Sequence, residues 1–362
     1  MDYRIHWRQR RLERRRQRLL AVPIGVLLGL LLYVLLHNIG RETQAWTHQG
    51  PSHYTPHFAL GGVALYAAWP DGHLEAVRLA DGGIYGDGPL FSQPQPFNAP
   101  PACGDQTIYL ASDLGVMSAV RSTTGAVLWQ LQTGSAVRGE PLLDGPRLYF
   151  ANDAGSVYCL VAAEGTQAWR TDLPAAVAGS VARVGEVVVA ATTDGTVYGL
   201  HAGDGHVVWQ QPLGEPVFSP VTAAEPLCVV GTDLGTAYLL DAGTGRVVQS
   251  YQTRGLIRTP AAVSPGAICF GSTDGWLRVV SRDGRTPLWS YHLGGPVVVG
   301  PTFAAERFYA ASERRLVALQ ADTGRTVHVW REQALAGSLL PTADFVYVGS
   351  NTGRIIALAQ PR

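Results

Sequence analysis

Two stretches of this chain decide its fold: TDLGTAYLLDAGTGRVV at residues 232–248 and TTDGTVYGLHAGDGHVVW at residues 192–209. Each contains an Asp-Gly turn, a short apolar run, a second glycine turn and a further apolar run. Tight hairpin turns need a positive φ angle, which glycine adopts without the steric penalty of a Cβ atom. Short β-rich runs between such turns are typical of antiparallel strands. Both stretches therefore predict hairpins.

The same pattern recurs every forty residues through the body of the chain. Glycines of the first turn, glycines of the second turn and tryptophans of the last strand follow this spacing, with Gly284 one position early and Gln249 in a tryptophan position. A further strand is expected near Pro220 and its counterparts. Four strands in forty residues match one blade of a β-propeller. The three series are the first-turn glycines Gly115, Gly155, Gly195, Gly235 and Gly275, the second-turn glycines Gly125, Gly165, Gly205 and Gly245, and the tryptophans Trp129, Trp169, Trp209 and Trp289.

The number of Asp-Gly turns predicts eight blades of four antiparallel strands across residues 43–360. No tryptophan strand follows the last run, IIALA, so the eighth blade is incomplete at that end. TQAWT at 43–47 nearly repeats TQAWR at 166–170, and we therefore predict that residues 43–48, with Trp46, complete this blade. Such closure pairs exposed strand edges. We expect Trp46 and the other tryptophans of the series to pack against neighbouring blades. An open solenoid of β-repeats is the alternative.

An apolar run, LLAVPIGVLLGLLLYVLL, occupies residues 19–36 and contains no charged side chain. Eighteen helical residues extend about 27 Å, close to the hydrocarbon thickness of a bilayer. Eight arginines in residues 1–18 precede the run, and the positive-inside rule keeps such a segment in the cytoplasm. We predict a cytoplasmic basic tail at 1–18, one transmembrane α-helix at 19–39 and a propeller at 40–362. The chain would then be a single-pass inner-membrane protein with its propeller in the periplasm.

A cleaved signal peptide is the alternative to this anchor. The HNIGRET segment after the run lacks the small-x-small pattern that a signal peptidase needs, so an uncleaved anchor is favoured. Gly25 and Gly29 form a GxxxG pair that lets another helix approach closely. The basic tail is suited to anionic headgroups, and we expect membrane lipid to contact residues 4–39.

The distribution of charge argues against nucleic acid as a partner. The formal charge is zero overall, but residues 1–18 carry +6 and the remainder carries −6. Binding to phosphates requires a basic face, which a mildly acidic body does not provide. Only 15% of the residues are charged, which excludes a disordered chain. The four cysteines are too few for a disulfide scaffold, and we expect buried free thiols.

The two quoted stretches resemble the pyrroloquinoline-quinone-type propeller repeat, and the resemblance covers residues 43–360. One branch of that superfamily comprises quinoprotein dehydrogenases, which hold a quinone and Ca²⁺ at the propeller axis. Another comprises cofactor-free scaffolds, including the eight-bladed subunit of the outer-membrane β-barrel assembly machine. The dehydrogenase branch uses an adjacent cysteine pair, whereas Cys103, Cys159, Cys228 and Cys269 are widely separated here. The resemblance therefore favours a scaffold.

The assembly-machine subunit is a lipoprotein, and the predicted transmembrane helix departs from that pattern. We therefore expect a non-catalytic accessory subunit of an inner-membrane complex (respiratory, photosynthetic or envelope), with other subunits of that complex as partners. A role in outer-membrane protein assembly is the alternative, and a quinone-dependent oxidoreductase is the second alternative. No catalytic residue, cofactor, metal ligand or small-molecule substrate is predicted.

Positions that break the repeat are the candidates for partner contact. They are three aromatic residues in the insert GGIYGDGPLFSQPQPFNAPP at 82–101, one tryptophan and an arginine pair in degenerate turns. Exposed aromatic and arginine side chains are enriched in protein interfaces. The insert is alternatively a longer hairpin without a partner. The candidates are Tyr85, Phe91, Phe97, Trp276, Arg314 and Arg315.

Two groups of polar residues invite a chemical interpretation. His48, His53 and His57, with His73 nearby, could gather a metal ion, but a polar linker is favoured because no cysteine or acidic ligand lies within the segment. Four further histidines are scattered through the blades. Aspartates recur in successive blades, so we expect them to cap their own turns rather than form one catalytic constellation. The scattered histidines are His201, His206, His292 and His328, and the recurring aspartates are Asp113, Asp153, Asp194, Asp233 and Asp274.

Overall fold

The computed structural model describes residues 44–361, and the regular elements in that part are 32 β-strands. They form eight four-stranded antiparallel sheets, arranged as the blades of a closed propeller. The predicted all-β, eight-bladed fold is confirmed. Within these residues no helix is both long and apolar enough to cross a bilayer. The predictions for the basic tail, the helix at 19–39, and Gly25 and Gly29 lie outside the described residues.

Strands follow one another from the propeller axis to the rim in blades 1 to 7. Blades 1 to 4 contain β2 (His57–Gly61), β3 (Ala64–Ala68), β4 (His73–Arg78) and β5 (Phe91–Ser92); β6 (Ala102–Cys103), β7 (Thr107–Ala111), β8 (Val116–Arg121) and β9 (Val127–Gln132); β10 (Leu142–Asp144), β11 (Arg147–Ala151), β12 (Ser156–Val161) and β13 (Gln167–Asp172); and β14 (Ala182–Val184), β15 (Val187–Ala191), β16 (Thr196–His201) and β17 (Val207–Pro212).

The second half repeats this order, except that the outer strand of blade 8 comes from the beginning of the chain. Blades 5 to 8 contain β18 (Thr222–Ala224), β19 (Leu227–Gly231), β20 (Thr236–Asp241) and β21 (Val247–Gln252); β22 (Ala262–Val263), β23 (Ala267–Gly271), β24 (Trp276–Ser281) and β25 (Pro287–His292); β26 (Val299–Ala304), β27 (Arg307–Ser312), β28 (Arg315–Gln320) and β29 (Thr326–Trp330); and β30 (Leu335–Pro341), β31 (Phe345–Ser350), β32 (Arg354–Ala359) and β1 (Gln44–Gln49).

The hydrophobic core lies between adjacent blades. The second and third strands of each blade are almost wholly buried, whereas most outer strands expose alternate residues. One cluster joins Tyr149 and Cys159 of blade 3 to Val188 and Leu200 of blade 4, and comparable clusters recur around the ring. Burial of apolar surface between sheets therefore holds the blades together.

Closure of the ring follows the predicted strand exchange. Strand β1 is hydrogen-bonded to β32, which places Trp46 in the outer strand of blade 8. The Gly50 amide and the Gln49 side-chain amide both donate to the Gly353 carbonyl, each at 3.0 Å. Trp46 then joins a core cluster with residues of blade 1, including Phe58. The predicted closing strand, 43–48, is observed as Gln44–Gln49.

The alternation of antiparallel strands gives the propeller two faces. We call the first the Asp-Gly face: it carries the turns between second and third strands, such as 232–235, and the connections from each outer strand to the next blade, such as 213–221. We call the other the hairpin face: it carries the turns between first and second strands and between third and fourth strands, such as 202–206.

The insert at 82–101 is a split outer strand of blade 1. Ile84 forms a bridge with Val77, and Phe91 in β5 pairs with Leu74, so the residues between them leave the sheet. Tyr85 still donates its amide to Ala76, at 2.8 Å. The insert is therefore a bulged edge that returns to the same sheet.

Candidate functional site: the propeller axis and the Asp-Gly face

The tryptophans of the forty-residue series connect each blade to the next. Each indole Nε1–H donates to a backbone carbonyl of the following blade, over 2.9–3.0 Å. Each such bond satisfies a polar group at the blade interface. The donor–acceptor pairs are Trp46–Leu79, Trp129–Ala162, Trp169–Ala202, Trp209–Ala242 and Trp289–Ala321.

The second-turn glycines have a role in these contacts that turn geometry alone did not suggest. A Cβ built on Gly245 would lie 2.3 Å from Cε3 of Trp209, which is closer than real Cβ atoms come. The indole therefore packs directly on the glycine backbone. This contact explains why the second-turn glycines and the tryptophans recur with the same period. The same relation holds for Gly82 with Trp46, Gly165 with Trp129, Gly205 with Trp169, and Gly324 with Trp289.

In blades 1, 7 and 8 the inner strand, and in blades 2 to 6 the segment two residues before it, places one residue near the same level of the axis. Continuing the strand register of each blade gives eight such positions, which we call the axial ring; in blade 7 the position lies in a bulge of the inner strand. A cavity of about 510 Å³ is lined by the inner strands of blades 3 to 5 and by the segment leading into blade 6. The axial ring consists of His57, Pro100, Glu140, Ser180, Pro220, Pro260, Gly300 and Ser338.

Two members of the axial ring are titratable. Glu140 is exposed to the channel, yet protein surrounds it on most sides, and the resulting desolvation raises its pKa to about 7. Desolvation lowers the pKa of His57 to about 4, against an opposing electrostatic contribution from Asp113. Both shifts favour the neutral form. At neutral pH His57 is therefore uncharged, whereas Glu140 is about half ionised.

The axial ring does not fit a metal-bound quinone. Such a group needs several oxygen donors that converge on its cation. The ring offers one carboxylate, and its serine hydroxyls are already engaged: Ser180 Oγ accepts the Glu140 amide at 2.8 Å, and Ser338 Oγ accepts the Phe58 amide at 3.0 Å. Proline and glycine occupy four other positions.

Aspartates of the Asp-Gly turns fall into two groups. Asp194 and Asp274 accept the amides of Thr196 and Trp276, at 3.1 and 3.0 Å, as predicted for turn caps. In the other group the aspartate lies two positions before the turn glycine instead of one. There the residue before the aspartate accepts the backbone amide that closes the turn. Thr232 Oγ1, for example, accepts the Thr236 amide at 2.9 Å.

The second group of aspartates therefore faces other side chains, which corrects the expectation that all of them cap their own turns. Asp233 binds Arg258 through two hydrogen bonds of 2.9 and 2.7 Å. Arg138 lies 3.3 Å from Asp153 and 3.8 Å from Asp113. These ion pairs lie on the Asp-Gly face, in its turns and in the connections between blades.

Large apolar side chains are exposed beside these ion pairs. The guanidinium of Arg258 lies 5.6 Å from the ring centroid of Phe218, which is 43% exposed, and Leu234 is 63% exposed next to Asp233. Arginine and aromatic side chains together are typical of interface centres. The exposed apolar residues in turns and connections of this face are Tyr54, Leu114, Phe218 and Leu234, and the exposed Trp276 begins β24 at the same face.

The predicted contact residues have different positions. Tyr85, Trp276 and Arg314 are exposed, although Tyr85 lies at the edge of blade 1 rather than on the Asp-Gly face. Phe91 is half-buried, and Arg315 Nη2 donates to the Tyr291 hydroxyl at 2.9 Å.

Phe97 is a correction. It is fully buried and packs in a core cluster with Leu74 and Ile108, so it is unavailable to a partner. The insert carries Phe97 back towards the axis, where the core needs an apolar side chain. Composition identified the aromatic residue but could not show the direction of the chain.

The predicted histidine group is not brought together as one site. His48 Nε2 lies 2.9 Å from Glu75, which also accepts the Trp69 indole N–H at 3.0 Å. His53 is exposed, while His57 lies in the axial ring. The structure instead brings together two histidines that looked unrelated in sequence, His201 and His206, around Asp204.

The cysteines are free thiols, three of them buried. Burial raises the pKa of Cys228 and of Cys103 to about 12, and it raises that of Cys269 further. Because the thiolate is the reactive form, burial disfavours reaction of these side chains at neutral pH.

One family model matches the chain at residues 70–217, 113–256 and 153–360, and its description is outer membrane protein assembly factor BamB. The chain belongs to this family. The overlapping matches follow the forty-residue repeat and cover most of the propeller. A search of curated proteins finds no match.

Solved structures share the fold of this BamB-family chain at low identity. BamB from Moraxella catarrhalis has a TM-score of 0.73 at 16% identity, with 88% of this chain and 99% of that chain covered. Sqt1 from Saccharomyces cerevisiae has a TM-score of 0.73 at 12% identity, with 88% of this chain and 99% of that chain covered. A quinohemoprotein alcohol dehydrogenase from Pseudomonas putida has a TM-score of 0.66 at 12% identity, with 88% of this chain and 78% of that chain covered. An assembly factor and an enzyme thus have the same architecture, so function must be argued from the site.

Proposed function

We propose that this chain is a non-catalytic, membrane-anchored scaffold, an accessory subunit that binds other subunits of an inner-membrane complex through its Asp-Gly face. The observation that carries the proposal is the cluster of Phe218, Arg258 and Leu234. Arg258 is fixed by two bonds to Asp233 and lies over the Phe218 ring, so the cluster is already ordered before a partner binds. Preorganised side chains lose less entropy on binding.

The axis and the thiols support a binding role over catalysis. The donors of the axial ring do not fit a metal-bound quinone, and the raised thiol pKa values argue against cysteine chemistry. The apolar run at 19–36 supports the anchor, and the arginines before it support a periplasmic propeller.

Site-specific crosslinking of the full chain in its native membrane tests the proposal. A photoreactive phenylalanine analogue is placed at Phe218, and the matched control is Val63, which is 74% exposed on the hairpin face. We expect a defined adduct from position 218 and none from position 63. The Arg258→Ala variant should weaken this adduct about tenfold or more, as at interface hot spots. Equal adducts from both positions would contradict a selective Asp-Gly face.

The family match favours a second candidate, a role in outer-membrane protein assembly. Mass spectrometry of the adduct separates the candidates. Subunits of an inner-membrane complex support the first, whereas β-barrel assembly components support the second and remove the first.

A further inference from the structure

The hairpin between β16 and β17 closes with the backbone geometry that other blades share. His201 donates its amide to the His206 carbonyl at 2.9 Å, and Gly205 donates to the His201 carbonyl at 2.8 Å. The equivalent hairpin of blade 5 has the same two bonds, at 2.9 and 2.8 Å, between Asp241 and the residues at 245 and 246. Residues that flank the turn are therefore held on one side of the hairpin by a geometry that does not depend on their side chains.

Side chains distinguish the blade 4 hairpin from the others. Oδ1 of Asp204 lies 2.9 Å from Nδ1 of His201 and 2.7 Å from Nδ1 of His206. The two imidazole rings stack, with centroids 5.0 Å apart and planes 27° apart. Among residues 44–361 this is the one group of three or more histidine, cysteine or acidic side chains whose ligand atoms come this close together.

The three side chains are close enough to share one ion, because their ligand atoms all lie within 4.8 Å of one another. Ligands about 2.0–2.1 Å from a tetrahedral metal are separated by ~3.3 Å. The two nitrogen–oxygen distances are somewhat shorter than this value, so a small outward rotation of the exposed side chains makes room for an ion.

We propose that His201, Asp204 and His206 bind one divalent transition-metal ion, of the zinc and copper class, on the hairpin face. Imidazole nitrogens suit Zn²⁺, Cu²⁺ and Ni²⁺, whereas Mg²⁺ and Ca²⁺ prefer oxygen ligands. The three side chains are 41–64% exposed, so the ion can enter from solvent and water can complete its coordination. This site is independent of the docking function proposed for the opposite face.

Calorimetry with ZnCl₂ tests the site on the full chain, purified in mild detergent through a tag without histidine. We expect the His201→Asn/His206→Asn double variant to bind one zinc ion fewer than the wild type. Asp204→Asn should weaken zinc affinity by about tenfold or more. Loss of a metal ligand should cost at least as much affinity as loss of a residue that orients a ligand, which costs about 10–100-fold. His53→Asn removes another exposed imidazole and should leave zinc binding unchanged.

Electron paramagnetic resonance with CuSO₄ provides a second measurement. The wild type should show nitrogen hyperfine coupling from two imidazoles, which the double variant should lose. Circular dichroism should give superimposable spectra for all variants, because the substitutions lie in an exposed hairpin. Equal zinc stoichiometry and affinity in the wild type and the double variant would overturn the proposal. Crosslinking from Phe218 is unaffected by this result, so the two proposals fail separately.

Discussion

Substitution of a second-turn glycine should destabilise the propeller more than its backbone conformation alone explains. Gly245 has a φ of +71°, and an alanine there would also meet the Trp209 indole at 2.3 Å. Gly214 is a matched control, because its φ is +75° and its added Cβ would meet nothing within 4 Å. The comparison separates the cost of backbone strain from the cost of the blade contact.

The two costs can be estimated from known effects. Alanine in the left-handed region costs about 1 kcal/mol, which both variants share. Overpacking a filled contact adds about 1–3 kcal/mol, which only Gly245→Ala incurs. We therefore expect the free energy of unfolding to fall by about 1 kcal/mol for Gly214→Ala and by about 2–4 kcal/mol for Gly245→Ala.

Urea unfolding of the full chain, followed by circular dichroism, measures these values. A double-mutant cycle with Trp209→Ala provides a further check, because removal of the indole makes room for the new methyl group. In that background the effect of Gly245→Ala should fall to that of Gly214→Ala. Equal losses for the two glycine variants in the wild-type background would refute the proposed contact between indole and glycine.

Three other measurements address closure, the axis and the thiols. Trp46→Phe should lower the free energy of unfolding by about 1 kcal/mol, because the hydrogen bond to the Leu79 carbonyl is lost. Trp46→Ala should lower it by about 3–5 kcal/mol, because the buried indole is also lost. Unchanged midpoints of urea unfolding would argue against the closing strand. His57 titrates near pH 4 when folded and near 6.5 when unfolded, so the unfolded state binds more protons between these values and stability falls as the pH decreases through them. The loss reaches about 3 kcal/mol below pH 4, and a His57→Asn variant with the same pH dependence would show that another group is responsible. Cys269 should react with a thiol-specific disulfide reagent only when urea unfolds the chain, and prompt labelling of the native protein would contradict its burial.

The forty-residue period predicted the architecture well, because the turns of each blade require glycine and aspartate at fixed positions. The blade count and the strand order follow from the forty-residue spacing, and the exchange of Trp46 into blade 8 follows from the likeness of TQAWT at 43–47 to TQAWR at 166–170. The same regularity hides what differs between blades. Asp194 and Asp233 look equivalent in sequence, but a shift of one position turns the first into a turn cap and makes the second a partner of Arg258.

Side-chain clusters across a turn or around the axis were harder to predict. His57 and Glu140 share the axial ring although 82 residues separate them in the chain, and only strand register relates them. The sequence pattern does not relate His201 to His206, although both flank a predicted glycine turn. Their positions on either side of one hairpin turn could have indicated that the two side chains lie close together. Phe97 shows the reverse error, in which an aromatic residue in a loop-like segment belongs to the core.

Pairing of β1 with β32 has a consequence for biosynthesis. A ribosome releases the first strand of this sheet about 300 residues before the strand that receives it, so the sheet with the longest sequence separation forms last. Until then two sheet edges remain open to wrong partners, including a second nascent copy. A chain interrupted before 354–359 would leave β1 without its neighbour. The pairing of β1 with β32 within blade 8 is therefore the place where an incomplete chain exposes an unpaired strand to cellular quality control.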